Sequence, residues 1–351
     1  MRQGPDYIQF YPTLRCNRSC AFCFNQSVPG MDDMPVSSFR VMLSRLPATV
    51  KTVDIIGGEP TLHPGIVVLI QAASSAGLRI NLSSNGTNIA VLKAIASAEP
   101  DTTIGISVND RETLNDLNGF IRTTRPVVKT VYARQLARSL IRDILLLGPK
   151  AFYSIYRDAA GPADVPDTIP FPEFLSDVSQ WSPLRQEPEG APTNNATSRN
   201  CLLATARSSR SRGSAFHPRR APGDAKARDF KPGPVGTVYC SGFLPDTVTY
   251  PDLASVRCPA GTTKLGVLPD GSVYPCNLLF GRPEFLLGNI LTDPFEAIWN
   301  HTSLAFFRKF TQNRCPRRDC RLHVECHGGC PAQSLLLTGD LDAPDPRCVP
   351  G

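Results

Sequence analysis

A chain of 351 residues with a hydrophobic fraction of 41% has room for two ordinary domains and enough apolar residues for a core, which excludes a disordered or fibrous protein. No run approaches the length of a membrane span, and the first residues show no basic-then-apolar leader with a cleavage site, so a cytoplasmic protein is expected. The net charge of +6 is local: ten Lys/Arg against four Asp/Glu lie between Arg185 and Lys231, and the remainder balances at 27 of each.

Residues 1–160 alternate short apolar runs with longer amphipathic stretches, the pattern of βαβ units on a parallel sheet. Expected strands are Ile8–Tyr11, Val53–Ile56, Ile80–Ser83, Ile104–Val108, Val127–Val131 and Phe152–Tyr156. Between them Ser37–Leu46, Ile66–Ala76, Ile89–Ala98 and Gln135–Leu147 read as helices. Six such units close most of a barrel, and active sites of such barrels sit at the C-terminal ends of the strands.

The first strand runs into Cys16-Asn17-Arg18-Ser19-Cys20-Ala21-Phe22-Cys23, three thiols spaced CxxxCxxC. The twelve cysteines of a chain without an export signal point to metal or catalysis rather than disulfides. Thiols at this spacing can converge on one iron–sulfur cubane and leave one iron open for chemistry. Structural zinc is the alternative, but it takes four closed ligands with a CxxC pair, and no fourth ligand is local. The second strand runs into Gly57-Gly58-Glu59-Pro60, where two glycines allow a ligand to approach the main chain and Pro60 stiffens the exit.

CxxxCxxC after strand one, with Phe22 before the last cysteine, followed by GGEP after strand two, resembles the radical SAM superfamily over roughly residues 5–157. The resemblance implies a four-iron (4Fe-4S) cluster ligated by Cys16, Cys20 and Cys23, with S-adenosylmethionine (SAM) chelating the open iron. Gly57, Gly58 and Glu59 would then hold the methionine amino group, mainly through main-chain oxygens, with Phe22 near the adenine. Strand three ends in Ser83-Ser84-Asn85-Gly86, where the family places small polar contacts, which implicates Ser83 and Asn85. Strand four ends in Ser107-Val108-Asn109-Asp110, where relatives read Ser-x-Asp. Ser107 is the implied SAM contact, and Asn109 departs from the pattern because an amide takes up no proton. Relatives carry an arginine for the carboxylate near the start of the next helix; here Gly119 falls near that place, with Arg122 and Arg125 beyond.

Phe171–Trp181 reads as one more helix, with Pro172 in its first turn. From Arg185 to Pro234 the chain is rich in Arg, Ser, Ala, Pro and Asn and lacks apolar periodicity, so it cannot offset its ordering entropy. A basic arm for nucleic acid needs aromatic interleaving, and only Phe216 and Phe230 supply it, so the stretch reads as a linker or insert. Its composition matches neither flank, as a shifted reading frame would produce.

Residues 258–348 hold seven of the cysteines. Leu265–Leu268 and Ser272–Tyr274 flank Pro269-Asp270-Gly271, a hairpin that returns Cys276 towards Cys258. Helix-like Pro294–Asn300 and Leu304–Phe310 precede Cys315, Cys320, Cys326, Cys330 and Cys348. The spacings resemble the SPASM extension of radical SAM enzymes, which binds two auxiliary four-iron clusters. The interleaved family pattern implies Cys315, Cys320, Cys326 and Cys348 on one cluster and Cys258, Cys276 and Cys330 on the other. Two departures stand out: a four-residue gap replaces CxxC at Cys315–Cys320, and the second set lacks a fourth thiolate, which Cys240 could supply unless that iron stays open to substrate or water. His323 and His327 read as donors to the sulfurs rather than ligands.

The expected architecture is therefore α/β: a partial (βα)6 radical SAM barrel (1–160), a bridging helix (161–184), a basic linker or insert (185–235) and a small cysteine-rich α+β SPASM-like domain (236–351). The resemblance implies a SAM-dependent oxidoreductase acting on a peptide or protein side chain, fed by an electron donor such as flavodoxin or ferredoxin, without a membrane or nucleic-acid partner. The first strand leaves no room for a peptide-binding domain ahead of it, so recognition falls to a separate partner or to the barrel. The alternatives are a non-catalytic metal module with a nucleic-acid-contacting arm, which steep salt dependence of binding would reveal, and an inactive descendant of the enzyme.

Overall fold

The computed structural model describes residues 3–23, 25, 28–159, 161–179, 235–238, 258–317, 319–320 and 328–347. Cys240, Cys326, Cys348, His323, His327 and the 185–234 stretch fall outside these residues. The barrel elements run β1 (Tyr7–Phe10), α1 (Val36–Arg45), β2 (Thr52–Ile55), α2 (Ile66–Ser75), β3 (Arg79–Ser84), α3 (Ile89–Ala98) and β4 (Thr103–Ser107). They continue through α4 (Arg111–Thr124), β5 (Val127–Tyr132), α5 (Arg138–Leu146), β6 (Ala151–Tyr156) and α6 (Phe171–Ser179). Each expected strand forms within one or two residues of its anticipated ends. The sequence expectations named no helix between the fourth and fifth strands; α4 fills that place with 14 residues. Asp110 caps it by accepting from Thr113 N, and Leu114, Leu117, Phe120 and Ile121 form its buried stripe.

Beyond the barrel lie β7 (Val235–Val238), β8 (Lys264–Val267), β9 (Ser272–Tyr274), β10 (Gly288–Asn289), α7 (Phe295–Trp299), α8 (Ala305–Lys309) and α9 (Pro331–Thr338). The anticipated hairpin is β8–β9, and β8 pairs in parallel with β1, Tyr7 opposite Lys264 and Phe10 opposite Val267. One sheet therefore runs β10-β9-β8-β1-β2-β3-β4-β5-β6-β7. Strand β7 extends the sheet beyond β6, an element the composition of its neighbourhood does not announce.

Side-chain alternation sorts the sheet into two faces. Ile8, Phe10, Val53, Ile55, Ile80, Leu82, Ile106, Val128 and Phe152 are buried in the main core under the helices. Leu265, Val267, Ile298 and Trp299 belong to the same core, so the cysteine-rich part and the barrel share one apolar interior. The opposite face carries Gln9, Thr52, Asp54, Asn81, Ser83, Ser107 and Lys129, mostly half-buried and polar, and lines the barrel lumen. No described helix is long and apolar enough to cross a membrane.

Because β8 covers the edge of β1 and contributes Leu265 and Val267, a fragment of residues 1–179 exposes both a strand edge and core surface. Each large apolar side chain removed from that core forfeits about 1.5–3 kcal/mol. The fragment is expected to lose cooperative thermal unfolding and to bind a hydrophobic dye; a sharp unfolding transition in it would refute the shared-core description.

Candidate functional site

The cysteine loop is held from beneath by the turn after β2. Gly58 N donates to Thr13 O at 3.0 Å and Glu59 N to Arg15 O at 2.7 Å, joining the GGE turn to the backbone that leads into Cys16. The glycines are required by this contact: a Cβ on Gly58 would lie 2.1 Å from Arg15 O and 2.5 Å from Leu14 O. Gly57, at φ +139°, would place one 2.5 Å from Thr13 O. The Cβ side of both glycines is thus occupied by the backbone that leads into the cysteine loop. Arg15 adds a clasp, pairing with Asp33 and donating to Leu62 O at 2.8 Å.

Glu59 is fully buried, and its carboxylate serves the protein. Oε1 accepts from Thr61 N (3.1 Å), Thr61 Oγ1 (2.6 Å) and Ser84 Oγ (2.8 Å), and Oε2 from Asn85 N (2.6 Å). The side chain thereby ties the end of β3 to the turn after β2, leaving only its main chain for a ligand. Asn85, fixed in this way, donates to Asn17 Oδ1 at 2.9 Å and approaches Cys16 Sγ at 3.9 Å, which sets it against a candidate cluster ligand. Arg18 reaches Thr113 Oγ1 on α4 at 2.9 Å.

Cys20 and Cys23 close one turn, Cys23 N donating to Cys20 O at 3.0 Å with Phe22 half-buried between them, and Cys16 lies exposed ahead of it. Burial pushes the Cys20 thiol up, and the neighbouring Cys23 and Cys16 push it further. Asn25, which the sequence reading did not single out, donates to Gly57 O at 2.8 Å. Its Oδ1 is buried without a donor, an acceptor available to a ligand N–H. Three thiols and an orphaned acceptor at the C-terminal end of a barrel strand fit a cubane with an amino-acid chelate. Among the described residues no three His, Cys, Asp or Glu side chains surround one point as a single bound ion requires.

The lumen below carries charges that the sequence reading missed. Lys129 lays its chain over Gly105, where a Cβ would stand 3.1 Å from Lys129 Cε, and its ammonium bonds Ser83 Oγ. Burial holds the Lys129 ammonium below its ordinary value, countered by Asp54; burial raises Asp54, countered by Lys129, Lys264 and a hydrogen bond from Gln9. Ser83 is thus engaged by the protein, whereas Ser107 stands half-buried beside Lys129 in the β4–β5 register. Asn109 Oδ1 accepts from Val131 N at 2.8 Å and so finishes the β4–β5 ladder, a role that needs an acceptor and no proton. Arg122 and Arg125 are exposed; the first bonds Asn118 and the second caps α4 and reaches Gly148 O, so neither takes the carboxylate role.

Cys258, Cys276 and Cys330 are 5%, 6% and 3% exposed and share one apolar cluster with Tyr11, the residue after β1, and with Phe280 and Phe307. This is the set assigned above to one auxiliary cluster. Cys315 is buried and Cys320 half-buried, and neither belongs to that apolar cluster. The eight described cysteines are thiols, with no disulfide among them. Tyr11 packs edge-on to Phe280 at 4.8 Å, and its hydroxyl is pushed well up by burial, then by Asp54, Cys23 and Cys276.

A Gly58→Ala chain is expected to fold with its cysteine loop displaced and to retain less than half the iron of the first cluster after anaerobic reconstitution, measured with the distal cysteines replaced by Ala. Unchanged iron in that background would contradict the contact just described.

Comparison with known proteins agrees with this geometry. Residues 10–150 match the model of the Radical SAM superfamily, and residues 258–329 match SPASM, an iron-sulfur cluster-binding domain. The chain is 22% identical to the AdoMet-dependent heme synthase of Methanosarcina barkeri, over 99% of this chain and 97% of that protein. It is 26% identical to the mycofactocin maturase MftC of Mycobacterium tuberculosis, over 99% of this chain and 84% of that protein. In fold it resembles Streptococcus suis SuiB bound to precursor peptide SuiA, with a TM-score of 0.67 at 16% identity, over 98% of this chain and 76% of SuiB. With its three-thiol loop seated on a GGEP turn and a distal set of buried thiols, the chain belongs to the radical SAM superfamily and carries a SPASM iron–sulfur domain.

Proposed function

We propose that the chain is a peptide-modifying radical SAM oxidoreductase in which Cys16, Cys20 and Cys23 hold the SAM-binding four-iron cluster. The observation that carries this reading is the seating of the three-cysteine loop on the Gly57–Glu59 backbone. When bound, the cluster and SAM together supply one-electron cleavage of the sulfonium and a carbon radical that abstracts hydrogen from substrate. The protein's own part is placement. Main-chain oxygens of Gly57, Gly58 and Glu59, with Asn25 Oδ1, orient the methionine amino group. Phe22 covers the adenine, Ser107 contacts the cofactor, and Asn85 steadies Cys16. Ser83 acts indirectly, by holding Lys129 across the lumen.

Cys258, Cys276 and Cys330 hold one auxiliary four-iron cluster in their apolar shell, and Cys315, Cys320, Cys326 and Cys348 hold the other. The division into a barrel (1–160), bridging helix (161–184), linker (185–235) and auxiliary-cluster region (236–351) is one of function within a shared core. A maturase that matches nearly the whole chain, and a fold neighbour with a bound precursor peptide, support a peptide or protein side chain as substrate, taken up from the lumen side. The heme synthase relative supports a second reading, oxidation of a small molecule in the same lumen. Electrons come from a cytoplasmic donor of the flavodoxin or ferredoxin class.

Anaerobically reconstituted protein with a reductant is expected to convert SAM to 5′-deoxyadenosine, and Cys23→Ala to reduce that to background. A fully iron-loaded wild type that makes none would remove the enzyme reading. To separate the two substrate classes, deuterated peptide or deuterated small-molecule candidates are supplied and the label is sought in 5′-deoxyadenosine; transfer identifies the class.

A further inference from the structure

Away from the SAM site, the end of β6 meets the cysteine-rich region through a buried polar joint. Arg347 is fully buried. Its Nη1 donates to Arg157 O and to Asp158 Oδ1, both at 2.9 Å, just after β6. Its Nε and Nη2 grip both carboxylate oxygens of Asp345 at 2.9 and 2.6 Å, and the guanidinium lies 4.8 Å over the Tyr156 ring. Asp345 Oδ2 also accepts from Cys330 N at 3.1 Å. The carboxylate stands so close to the preceding loop that a Cβ on Gly329 would lie 2.0 Å from Asp345 Cβ. A second buried side chain repeats the docking: Gln333 Oε1 accepts from Ala159 N at 2.9 Å and its Nε2 donates to Ala159 O at 3.2 Å.

Both contacts converge on residues 157–159, and both leave from beside candidate auxiliary ligands. Gln333 is the third residue after Cys330, and Arg347 immediately precedes Cys348. A buried ion pair adds little net stability, because desolvation offsets its attraction, but it tolerates few geometries and so fixes register. The bidentate guanidinium supplies that geometry, which a lysine cannot.

We infer that Arg347, through Asp345, and Gln333 are positioning residues that anchor the auxiliary-cluster cysteine Cys330 and its loop to the exit of β6. This rests on the reading of the distal cysteines as cluster ligands. Loss of the anchor releases auxiliary iron while leaving the first cluster, held by the loop after β1, at work.

The test uses the full chain, reconstituted anaerobically, with iron per chain, the electron paramagnetic resonance (EPR) spectrum of the reduced clusters and SAM cleavage as readouts. Arg347→Met is expected to lose the auxiliary EPR signals and at least half the iron with SAM cleavage within about twofold of wild type. Arg347→Lys restores part of the iron. The pair Arg347→Met with Asp345→Asn removes the buried Asp345 charge that the single change strands, leaves only the Asp158 carboxylate without this partner, and shows the same auxiliary loss in a chain of wild-type thermal stability. Arg282→Met, which breaks an exposed ion pair with Glu284 in the same region, matches wild type. Wild-type iron and spectra in Arg347→Met would overturn the inference, as would equal loss of the first cluster in the double variant, which would mark a general folding role. A wild type that binds a single cluster would instead remove the distal-cysteine reading, and the anchor with it.

Discussion

Two backbone hydrogen bonds, from Gly58 N and Glu59 N to the chain just ahead of Cys16, hold the candidate site together. They are possible only where no Cβ intervenes, since any side chain at Gly58 would overlap two carbonyl oxygens. This contact turns a sequence of three cysteines into a platform with a fixed direction. The same turn passes rigidity onward: the buried Glu59 carboxylate gathers Thr61, Ser84 and Asn85, and Asn85 returns to the cysteine loop at Asn17 and Cys16. The ends of β1, β2 and β3 are thus one hydrogen-bonded unit, with little freedom to rearrange when a cofactor arrives.

Below that unit the lumen is polar because every second residue of the strands faces it. Asp54 and Lys129 sit there at a depth where burial works against each charge, and their mutual attraction, with that of Lys264 for Asp54, offsets part of that cost. Tyr11, directly after β1, belongs to the apolar cluster of Cys258, Cys276 and Cys330. The pairing of β8 with β1 explains this proximity: the strand that feeds the cysteine loop is also the one on which the distal region is built.

Much of this was legible in the sequence, because it is written in local signals. Period-two and helical apolar patterns gave six strands and most helices, and Pro269-Asp270-Gly271 gave the hairpin. CxxxCxxC and GGEP marked the site through residue types that few other roles require. What escaped has a common cause. Lys129, Asp54 and Asn25 are ordinary residues whose importance comes from facing one lumen or one turn, and that is set by register across strands distant in sequence. Lys129 reaches Ser83 only because Gly105 on the intervening strand lacks a side chain. The α4 helix was readable from Asp110 and its apolar stripe, yet the motif expected near its start drew the reading towards Arg122 and Arg125, which the helix turns outward. Arg347 lay unread because its partners follow β6, almost two hundred positions earlier.

The central claim is that the Cys16–Cys23 loop, as seated on Gly57–Glu59, presents an open iron to the amino group of SAM. Electron–nuclear double resonance on the reduced first cluster, with SAM isotopically labelled at its amino nitrogen and the distal cysteines replaced by Ala, addresses this directly. The account predicts a hyperfine coupling between the labelled nitrogen and the cluster. A reduced four-iron cluster that shows no such coupling at saturating SAM would contradict it.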